Sequence, residues 1–145
     1  MASKLNIGCG KNWRTYEGYN GLDIVDFGQD YIGNVLTILP ILSDGTLTEV
    51  MANHFLEHFS QEELKVIFSN VNRLLKDGGI FKFVIPHLSK DRSWILPHKT
   101  FWNEVTVRWL GEEDTDKVYG FGKWEVVEVI TNERKDMHVI LRKVI

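Results

Sequence analysis

The fold is decided near the start of the chain by the stretch LNIGCGKN, residues 5–12. A short, largely apolar run, Leu5 to Ile7, stops at Gly8-Cys9-Gly10, which predicts a buried strand that ends in a tight turn. The turn begins like the dinucleotide fingerprint G-x-G-x-x-G, but Trp13 stands where the third glycine would be. That glycine permits the close helix packing at which a pyrophosphate is received, so the indole argues against NAD or FAD.

A second short strand is predicted over residues 21–25, and it carries Asp23. In an α/β sheet an acid at this place accepts hydrogen bonds from two ribose hydroxyls. A glycine turn followed by such an acid suits an adenosine-containing ligand without a diphosphate. The alternative stays open that Gly8 and Gly10 form only a turn and that Asp23 only caps a loop.

Strand-like and helix-like segments alternate along the rest of the chain. Further strands are predicted over residues 31–35, 47–52, 80–85, 124–130 and 137–144, with a turn or short helix over 35–42. Ser60 and Glu63 form a capping box, and the helix that follows is predicted to end at Gly78 and Gly79. A second helix is predicted over 101–110. This alternation predicts an α/β fold with a mainly parallel sheet, whose ligands bind at the carboxyl ends of the strands.

Composition limits the function classes. A chain of 145 residues with 43% hydrophobic and 26% charged residues is typical of one globular domain. Since no apolar run approaches the roughly 20 residues of a membrane span and residues 1–4 carry no signal-peptide pattern, we expect a cytoplasmic protein. The lone Cys9 excludes an internal disulfide and a cysteine-rich metal cluster. A net charge of −3 gives no basic footprint, so a nucleic-acid partner is not expected.

The segment ANHFLEHF, residues 52–59, contains H-x-x-E-H from His54 to His58, a zinc signature of metalloproteases. That motif needs both histidines on one face of a formed helix, and the capping box places the helix start at Ser60, after His58. We therefore assign no metal ligand. A zinc-dependent hydrolase stays open as a lesser alternative, because His87, Asp91 and His98 offer further ligands in a neighbouring loop.

Four segments in this order resemble the class I S-adenosylmethionine-dependent methyltransferases, in the branch of small domains: LNIGCGKN, GYNGLDI, TLTEVMANHFLEHF and NRLLKDGGIFKFVIPH. The resemblance covers residues 4–87, with a weaker echo at PHKTFW, residues 97–102. It implies one methyltransferase-like domain over residues 1–145, with a Rossmann-like, mainly parallel sheet, helices on both faces and an antiparallel C-terminal strand. The helices that often precede the first strand are missing, so the expected fold is an N-terminally truncated one. The implied cofactor is S-adenosylmethionine, and the implied reaction is methyl transfer to a small-molecule or glycan acceptor.

The same resemblance assigns the site residues. The glycine turn faces the methionine part of the cofactor, Asp23 holds the ribose, Asn34 lies near the adenine, and the fourth motif lies beside the methyl group. The implied cofactor-binding residues are Gly8, Cys9, Gly10, Asp23, Ile24, Asn34, Asn53 and His54. A hydroxyl acceptor is helped by a general base, for which histidine is suited. The candidate catalytic residues are His54, His87 and His98, and a structural role for each stays open. Three aromatic residues, Trp94, Phe101 and Trp102, are candidates for an acceptor wall or sugar-stacking platform, or for the core.

Two departures from the family pattern favour alternatives. There is little room for a crossover helix between Gly10 and Gly21, so we expect a site open on one side, which a second copy or a partner subunit would close. The exposed aromatic residues Trp13, Tyr16 and Tyr19 are candidates for that contact, or for packing on the chain's own core. Asparagines stand at positions 6 and 34, where the family often has acids, and this keeps a catalytically silent scaffold as the alternative function.

Overall fold

The computed structural model describes residues 3–145, and within them seven strands form one sheet in the order β3-β2-β1-β4-β5-β7-β6. The strands are β1 (Lys4–Ile7), β2 (Tyr19–Asp23), β3 (Tyr31–Ile32), β4 (Leu47–Asn53), β5 (Leu75–Pro86), β6 (Trp124–Thr131) and β7 (Asp136–Lys143). Strands β1 to β5 pair in parallel, whereas β7 runs antiparallel to both β5 and β6. The predicted mainly parallel sheet with an antiparallel C-terminal strand is confirmed.

The helices are short except for one. They are α1 (Val35–Ile38), α2 (Gln61–Leu74), α3 (Glu104–Leu110) and α4 (Thr115–Tyr119), with 3-10 helices at Trp13–Thr15, Leu39–Ile41, Leu56–His58 and Asp91–Trp94. The capping box is confirmed, because the Ser60 amide donates to Glu63 Oε1 at 2.9 Å and the Glu63 amide donates to Ser60 Oγ at 3.3 Å. In the described part of the chain, residues 3–145, no helix is both long and apolar enough to cross a bilayer.

The predicted end of α2 at Gly78 was wrong. The helix stops at Leu74, and the next residue, Leu75, is already extended with φ −71° and ψ 142°. Leu75 is fully buried and pairs with Leu47 of β4, so the sheet captures the chain before the glycines are reached. The left-handed Gly78, with φ 75°, lies inside the irregular start of β5.

The core lies between α2 and one face of the sheet. The helix buries an apolar stripe at helical spacing that includes Phe68, and β5 buries Phe81, Phe83 and Ile85 at alternate positions. The Phe68 ring centroid lies 5.3 Å from that of Phe81 and 5.9 Å from that of Phe83. Each such side chain contributes about 1.5–3 kcal/mol when fully buried. This packing fixes the position of α2, and with it the segment that enters α2 from β4.

The opposite face of the sheet is polar and partly open. It presents Lys82, whose side chain is 43% exposed and pairs with Glu49 at 3.2 Å. A cavity of about 620 Å³, the sheet-face cavity, extends over this face between Tyr16 and the side chains of β4, β5 and β7. Between β1 and β2 there is a single-turn 3-10 helix and no α-helix, as the short connection predicted. The helices therefore cover the two faces of the sheet unequally.

Candidate functional site

The carboxyl ends of the parallel strands gather the chemistry-bearing residues at one edge of the sheet. The glycine turn follows β1, Asp23 ends β2, Gly33 follows β3, His54 follows β4 and His87 follows β5. This is the edge at which α/β sheets bind ligands. Residues separated by up to 79 positions in sequence meet there because the sheet is parallel up to β5.

The glycine turn is bound to Asp23. Gly8 and Gly10 both have left-handed φ angles, 66° and 69°, which glycine adopts without a steric cost. The Gly10 amide donates to Asp23 Oδ2 at 3.0 Å, and the Val25 amide donates to Oδ1 at 3.0 Å. Each carboxylate oxygen accepts about two hydrogen bonds, so each retains capacity for a ligand hydroxyl. Nothing lies within 4 Å of where a Gly10 Cβ would be, so the backbone of the turn is open to a ligand.

A small cavity of about 150 Å³, the Asp23 cavity, continues from this carboxylate. It is lined by Leu22, Asp23, Ile24, Gly33, Asn34, Val35, Phe55 and Phe59. Ile24 is 70% exposed at its rim. The Asn34 side-chain oxygen caps α1 by accepting from the Leu36 amide at 2.9 Å, so this oxygen is already partly used by the fold. Asp23, Ile24 and Asn34, which are predicted to surround one ligand, thus line the same cavity.

A second cavity, of about 360 Å³, lies beyond the ends of β4 and β5 and is called here the histidine cavity. Its lining is His54, Glu57, His58, Pro86, Lys90, Arg92, Ile95 and His98. Histidines 54 and 98, predicted as catalytic candidates, thus share one cavity although they lie on different loops. His54 also borders the sheet-face cavity, where it closes the end of β4.

The segment from residue 54 to residue 59 separates the two cavities. Phe55 and Phe59 line the Asp23 cavity and pack edge to face with ring centroids 4.8 Å apart. His54, Glu57 and His58 line the histidine cavity instead. This division follows from the backbone, because His54 has a left-handed φ of 50° and residues 56–58 form a single 3-10 turn. A non-glycine residue held at positive φ costs about 1–3 kcal/mol, and such residues cluster at functional sites.

Burial shapes the electrostatics of the histidine cavity. Burial lowers the pKa of His54 below 6.5. Lys90, His138 and His58 also lower this pKa, whereas Asp136 raises it. His54 is therefore neutral at neutral pH. Glu57 is only 2% exposed, and burial raises the pKa of its carboxyl group. Lys90, in the same lining, pairs with Asp136 at 2.8 Å.

Two of the other predicted site residues, His87 and Asn53, line neither the Asp23 cavity nor the histidine cavity. His87 Nε2 donates to Glu104 Oε1 at 2.9 Å, and its Nδ1 accepts from the Ser89 amide at 3.0 Å, so both ring nitrogens are engaged. Asn53 lines the sheet-face cavity, and its amide donates to the Tyr16 hydroxyl at 3.4 Å. His87 therefore ties the loop after β5 to α3, and Asn53 lies on the sheet face opposite α2.

Cys9 lies within the turn as predicted. Burial, together with Asp23, raises the pKa of its thiol to about 11, so the thiol is protonated at neutral pH. Its sulfur lies 3.0 Å from where a Gly21 Cβ would be, between β1 and β2. The glycine at position 21 is therefore needed for the turn to pack on the neighbouring strand.

The predicted aromatic trio divides into a surface pair and a core residue. Trp94 and Phe101 stack with ring centroids 4.3 Å apart and an interplanar angle of 11°, and both remain exposed. Trp102 is 3% exposed and packs against Phe68 in the core. The exposed pair flanks the loop that supplies Arg92 and His98 to the histidine cavity.

Sequence reasoning gave no individual role to Phe55, Glu57, Lys90 or Arg92. The resemblance placed the segment HFLEH, which contains Phe55 and Glu57, beside the methyl group, but it did not single out either residue. A glutamate between Leu56 and His58 gave no sign of burial by itself. For Lys90 and Arg92 the signal was only two basic residues in a loop, which is typical of any solvated surface.

No protein-family model matches the chain, and no curated protein matches it. Many solved structures do. The chain is similar to a S-adenosylmethionine-dependent methyltransferase from Archaeoglobus fulgidus, with 19% identity over 97% of this chain and 85% of that one and a TM-score of 0.71. It is also similar to a chain of the complex between the Haloferax volcanii Trm112 methyltransferase activator and a methyltransferase (14% identity, 98% and 82% covered, TM-score 0.69).

A third similar structure is phosphoethanolamine N-methyltransferase 1 from Haemonchus contortus, solved with phosphoethanolamine and S-adenosylhomocysteine. The identity is 14%, the TM-score is 0.70, and the match covers 97% of this chain but 38% of that one. At these identities the likeness is one of fold. The chain has the Rossmann-like fold of the class I S-adenosylmethionine-dependent methyltransferases, which confirms the predicted fold class.

Proposed function

We propose that this chain, which has the class I methyltransferase fold, binds S-adenosylmethionine and transfers its methyl group to a small-molecule or glycan acceptor. The observation that carries the proposal is the position of residues 54–59 between two cavities. One cavity contains the carboxylate suited to a ribose, and the other contains a neutral histidine suited to an acceptor. Methyl transfer requires the cofactor and the acceptor to lie side by side. The two cavities next to residues 54–59 would each hold one of these ligands.

The residues at the strand ends fit the cofactor. Asp23 would accept hydrogen bonds from the ribose hydroxyls with the capacity that Gly10 and Val25 leave it. Ile24 and Asn34 would flank the adenine, and the open backbone at Gly10 would admit the methionine part. When bound, the cofactor supplies a methyl group already activated by its positively charged sulfur. The protein then has mainly to align the reactants.

His54 is the residue to which we assign general-base catalysis. It is neutral because burial lowers its pKa, and it lines the histidine cavity next to Phe55. For a hydroxyl acceptor, His54 would take the proton as the oxygen–carbon bond forms and the sulfur–carbon bond breaks. His98 lines the same cavity, whereas His87 is held by Glu104 and Ser89 and orders the loop.

The charge and the aromatic surface around the histidine cavity favour a polar acceptor with an anionic group or a sugar ring. Arg92 provides an exposed positive charge in the lining, whereas Lys90 is paired with Asp136. The stacked pair Trp94 and Phe101 offers an aromatic surface beside it. The similar Haemonchus contortus enzyme was solved with phosphoethanolamine, a molecule that carries a phosphate.

A catalytically silent subunit is the second candidate, and the open sheet face favours it. The sheet-face cavity of about 620 Å³ borders Tyr16 and His54 and leaves room for a second copy or a partner subunit. The similar Haloferax structure is a complex with an activator protein. In this reading the fold is retained for assembly and Asp23 has no ligand to hold.

Titration calorimetry with S-adenosylmethionine and S-adenosylhomocysteine tests the proposal. The wild-type chain should bind both, and Asp23→Asn and Asp23→Ala should weaken binding at least tenfold. Asp26→Ala is the matched control, because Asp26 lies on the same loop, lies outside the Asp23 cavity and, among the described residues, accepts a hydrogen bond only from the Gly28 amide. Circular dichroism and thermal unfolding of each variant show whether the turn still folds.

No binding up to millimolar ligand by the folded wild-type chain would contradict the enzyme and support the silent subunit. Equal losses in Asp23→Ala and Asp26→Ala would place the ligand elsewhere. Binding that Asp23 controls makes a screen of phosphorylated and glycan acceptors the next step, with His54→Gln as the variant expected to keep cofactor binding and lose transfer.

A further inference from the structure

We infer that Glu57, His58 and His98 form a binding site for a divalent first-row transition-metal ion such as Zn²⁺. One potential ligand atom from each of these side chains lies within 4.8 Å of the other two. Tetrahedral ligands at about 2.0–2.1 Å from zinc lie roughly 3.4 Å apart. The three side chains would therefore have to approach one another by up to about 1.4 Å to bind an ion.

The backbone holds the two halves of the cluster together. Glu57 and His58 belong to the 3-10 turn after β4, and His98 comes from the loop after β5. The Glu57 carbonyl accepts hydrogen bonds from the amides of Lys99 at 2.8 Å and Thr100 at 3.3 Å. These bonds join Lys99, which follows His98, to Glu57, which precedes His58. The site is therefore supported by main-chain contacts and does not depend on surface side chains to assemble it.

Both histidines have the same ring nitrogen engaged by the backbone and the same ring nitrogen left for a ligand. His58 Nδ1 lies 3.1 Å from the Phe55 carbonyl oxygen, and His98 Nδ1 lies 2.9 Å from the Ser93 carbonyl oxygen. A carbonyl only accepts, so each Nδ1 carries the proton and each Nε2 keeps its lone pair. Metal-binding histidines are oriented in this way, by donating the other ring N–H to a carbonyl or a carboxylate.

Glu57 supplies the independent sign that a ligand belongs here. Its side chain is 2% exposed, and its Oε1 atom is buried without a hydrogen-bond partner among the described residues. A buried carboxyl oxygen without a partner costs free energy, about 1–3 kcal/mol or more for a charged group. A cation bound between Glu57 and the two imidazoles would satisfy that oxygen. Two imidazole nitrogens and one carboxylate are a donor set that zinc and non-haem iron both take.

The ion would have an open coordination position toward the histidine cavity. Three protein ligands leave a fourth position of a tetrahedral ion for water or an oxygen of a bound molecule. Two positive side chains line the same cavity. Lys90 is paired with Asp136 at 2.8 Å, which reduces its repulsion of a cation, and the charge of Arg92 is exposed to solvent. The proposed site differs from the zinc site that the H-x-x-E-H motif would form, because His54 is not a member of the cluster. It does not depend on methyl transfer.

The test is metal binding by untagged, chelator-treated protein. Zn²⁺ is titrated by calorimetry with a competing chelator, Co²⁺ is followed by its visible absorption, and bound metal is counted by mass spectrometry. We expect one equivalent per chain. Glu57→Gln and His98→Gln should each weaken binding at least tenfold, while His54→Gln and His138→Gln should leave it unchanged. His138 is exposed on β7, far along the chain from the cluster.

Each result decides for or against the site. Loss of Zn²⁺ binding in His54→Gln would overturn the ligand set in favour of the H-x-x-E-H motif. Failure of the wild-type chain to bind a metal, with unchanged thermal unfolding of Glu57→Gln, would overturn the proposal and identify Glu57 as a buried protonated carboxyl group. If Glu57→Gln does not fold, His98→Gln carries the test, because its partly buried ring forms a hydrogen bond among residues 3–145 only with the Ser93 carbonyl. S-adenosylhomocysteine binding is measured in parallel, so failure of the cofactor proposal is seen separately.

Discussion

Replacing Gly8 by alanine tests the packing between the glycine turn and residues 54–59. Gly8 has φ 66°, and a Cβ placed there would lie 2.2 Å from Phe55 Cδ1. Gly10 has nearly the same conformation, φ 69°, but nothing lies within 4 Å of its Cβ position. The two glycines therefore separate the cost of the backbone conformation from the cost of the contact with the ring.

The magnitudes follow from these two costs. A left-handed conformation costs an alanine about 1–2 kcal/mol, and overpacking adds about 1–3 kcal/mol. Gly10→Ala should thus lower the free energy of unfolding by about 1–2 kcal/mol, and Gly8→Ala by about 2–5 kcal/mol. In a Phe55→Ala background the ring is gone, so Gly8→Ala should cost only the backbone term.

Urea unfolding of the four single and double variants measures this as a double-mutant cycle. We expect a coupling free energy of about 1–3 kcal/mol between positions 8 and 55. Equal destabilisation by Gly8→Ala and Gly10→Ala, or a coupling near zero, would refute the placement of the Phe55 ring over Gly8. Affinity for S-adenosylhomocysteine in Gly8→Ala would show whether the displaced ring alters the Asp23 cavity.

Three further predictions concern individual groups. The His54 imidazole should titrate below pH 6.5 in an NMR experiment in which His54→Gln assigns the resonance, and a midpoint at or above 6.5 contradicts its burial. Cys9 should react slowly with iodoacetamide at pH 8 and faster as the pH approaches about 11. S-adenosylhomocysteine should slow this reaction further. Rapid modification at pH 8 would contradict the packed turn. Ser60→Ala should lower the free energy of unfolding by about 1 kcal/mol through loss of the cap, whereas Ser69→Ala inside α2 should change it little, and an equal effect of both would argue against the capping box.

Those parts of the fold that depend on local signals could be predicted from the sequence. The capping box at Ser60 fixes the start of α2, and the apolar stripe behind it fixes the buried face, because both depend on residues a few positions apart. The glycine turn and Asp23 could be paired because strand ends meet at one edge of a parallel sheet. The end of α2 could not be predicted from the sequence, since it depends on the pairing of Leu75 with Leu47 across the sheet.

Only those residues of the candidate site that lie at the end of a strand could be predicted from the sequence. Glu57 is buried by the loop that returns to it through Lys99 and Thr100, about 40 residues later, and no local pattern encodes that contact. The two ring nitrogens of His87 are taken by Ser89 and Glu104, and the latter lies on a helix whose packing is set by the core. Histidines that look equivalent in the sequence thus differ in the structure by which of their nitrogens remain available.

The open sheet face connects the two readings of the function through His54. Polar side chains such as Lys82 and Glu49 pair with each other there at 3.2 Å. His54 lines both the sheet-face cavity and the histidine cavity. A subunit that covered Tyr16 and Lys82 would desolvate His54 from its second side and further disfavour its protonated form. Binding of such a subunit would then act on the proposed base directly, so a partner subunit and an enzyme are compatible descriptions of this chain.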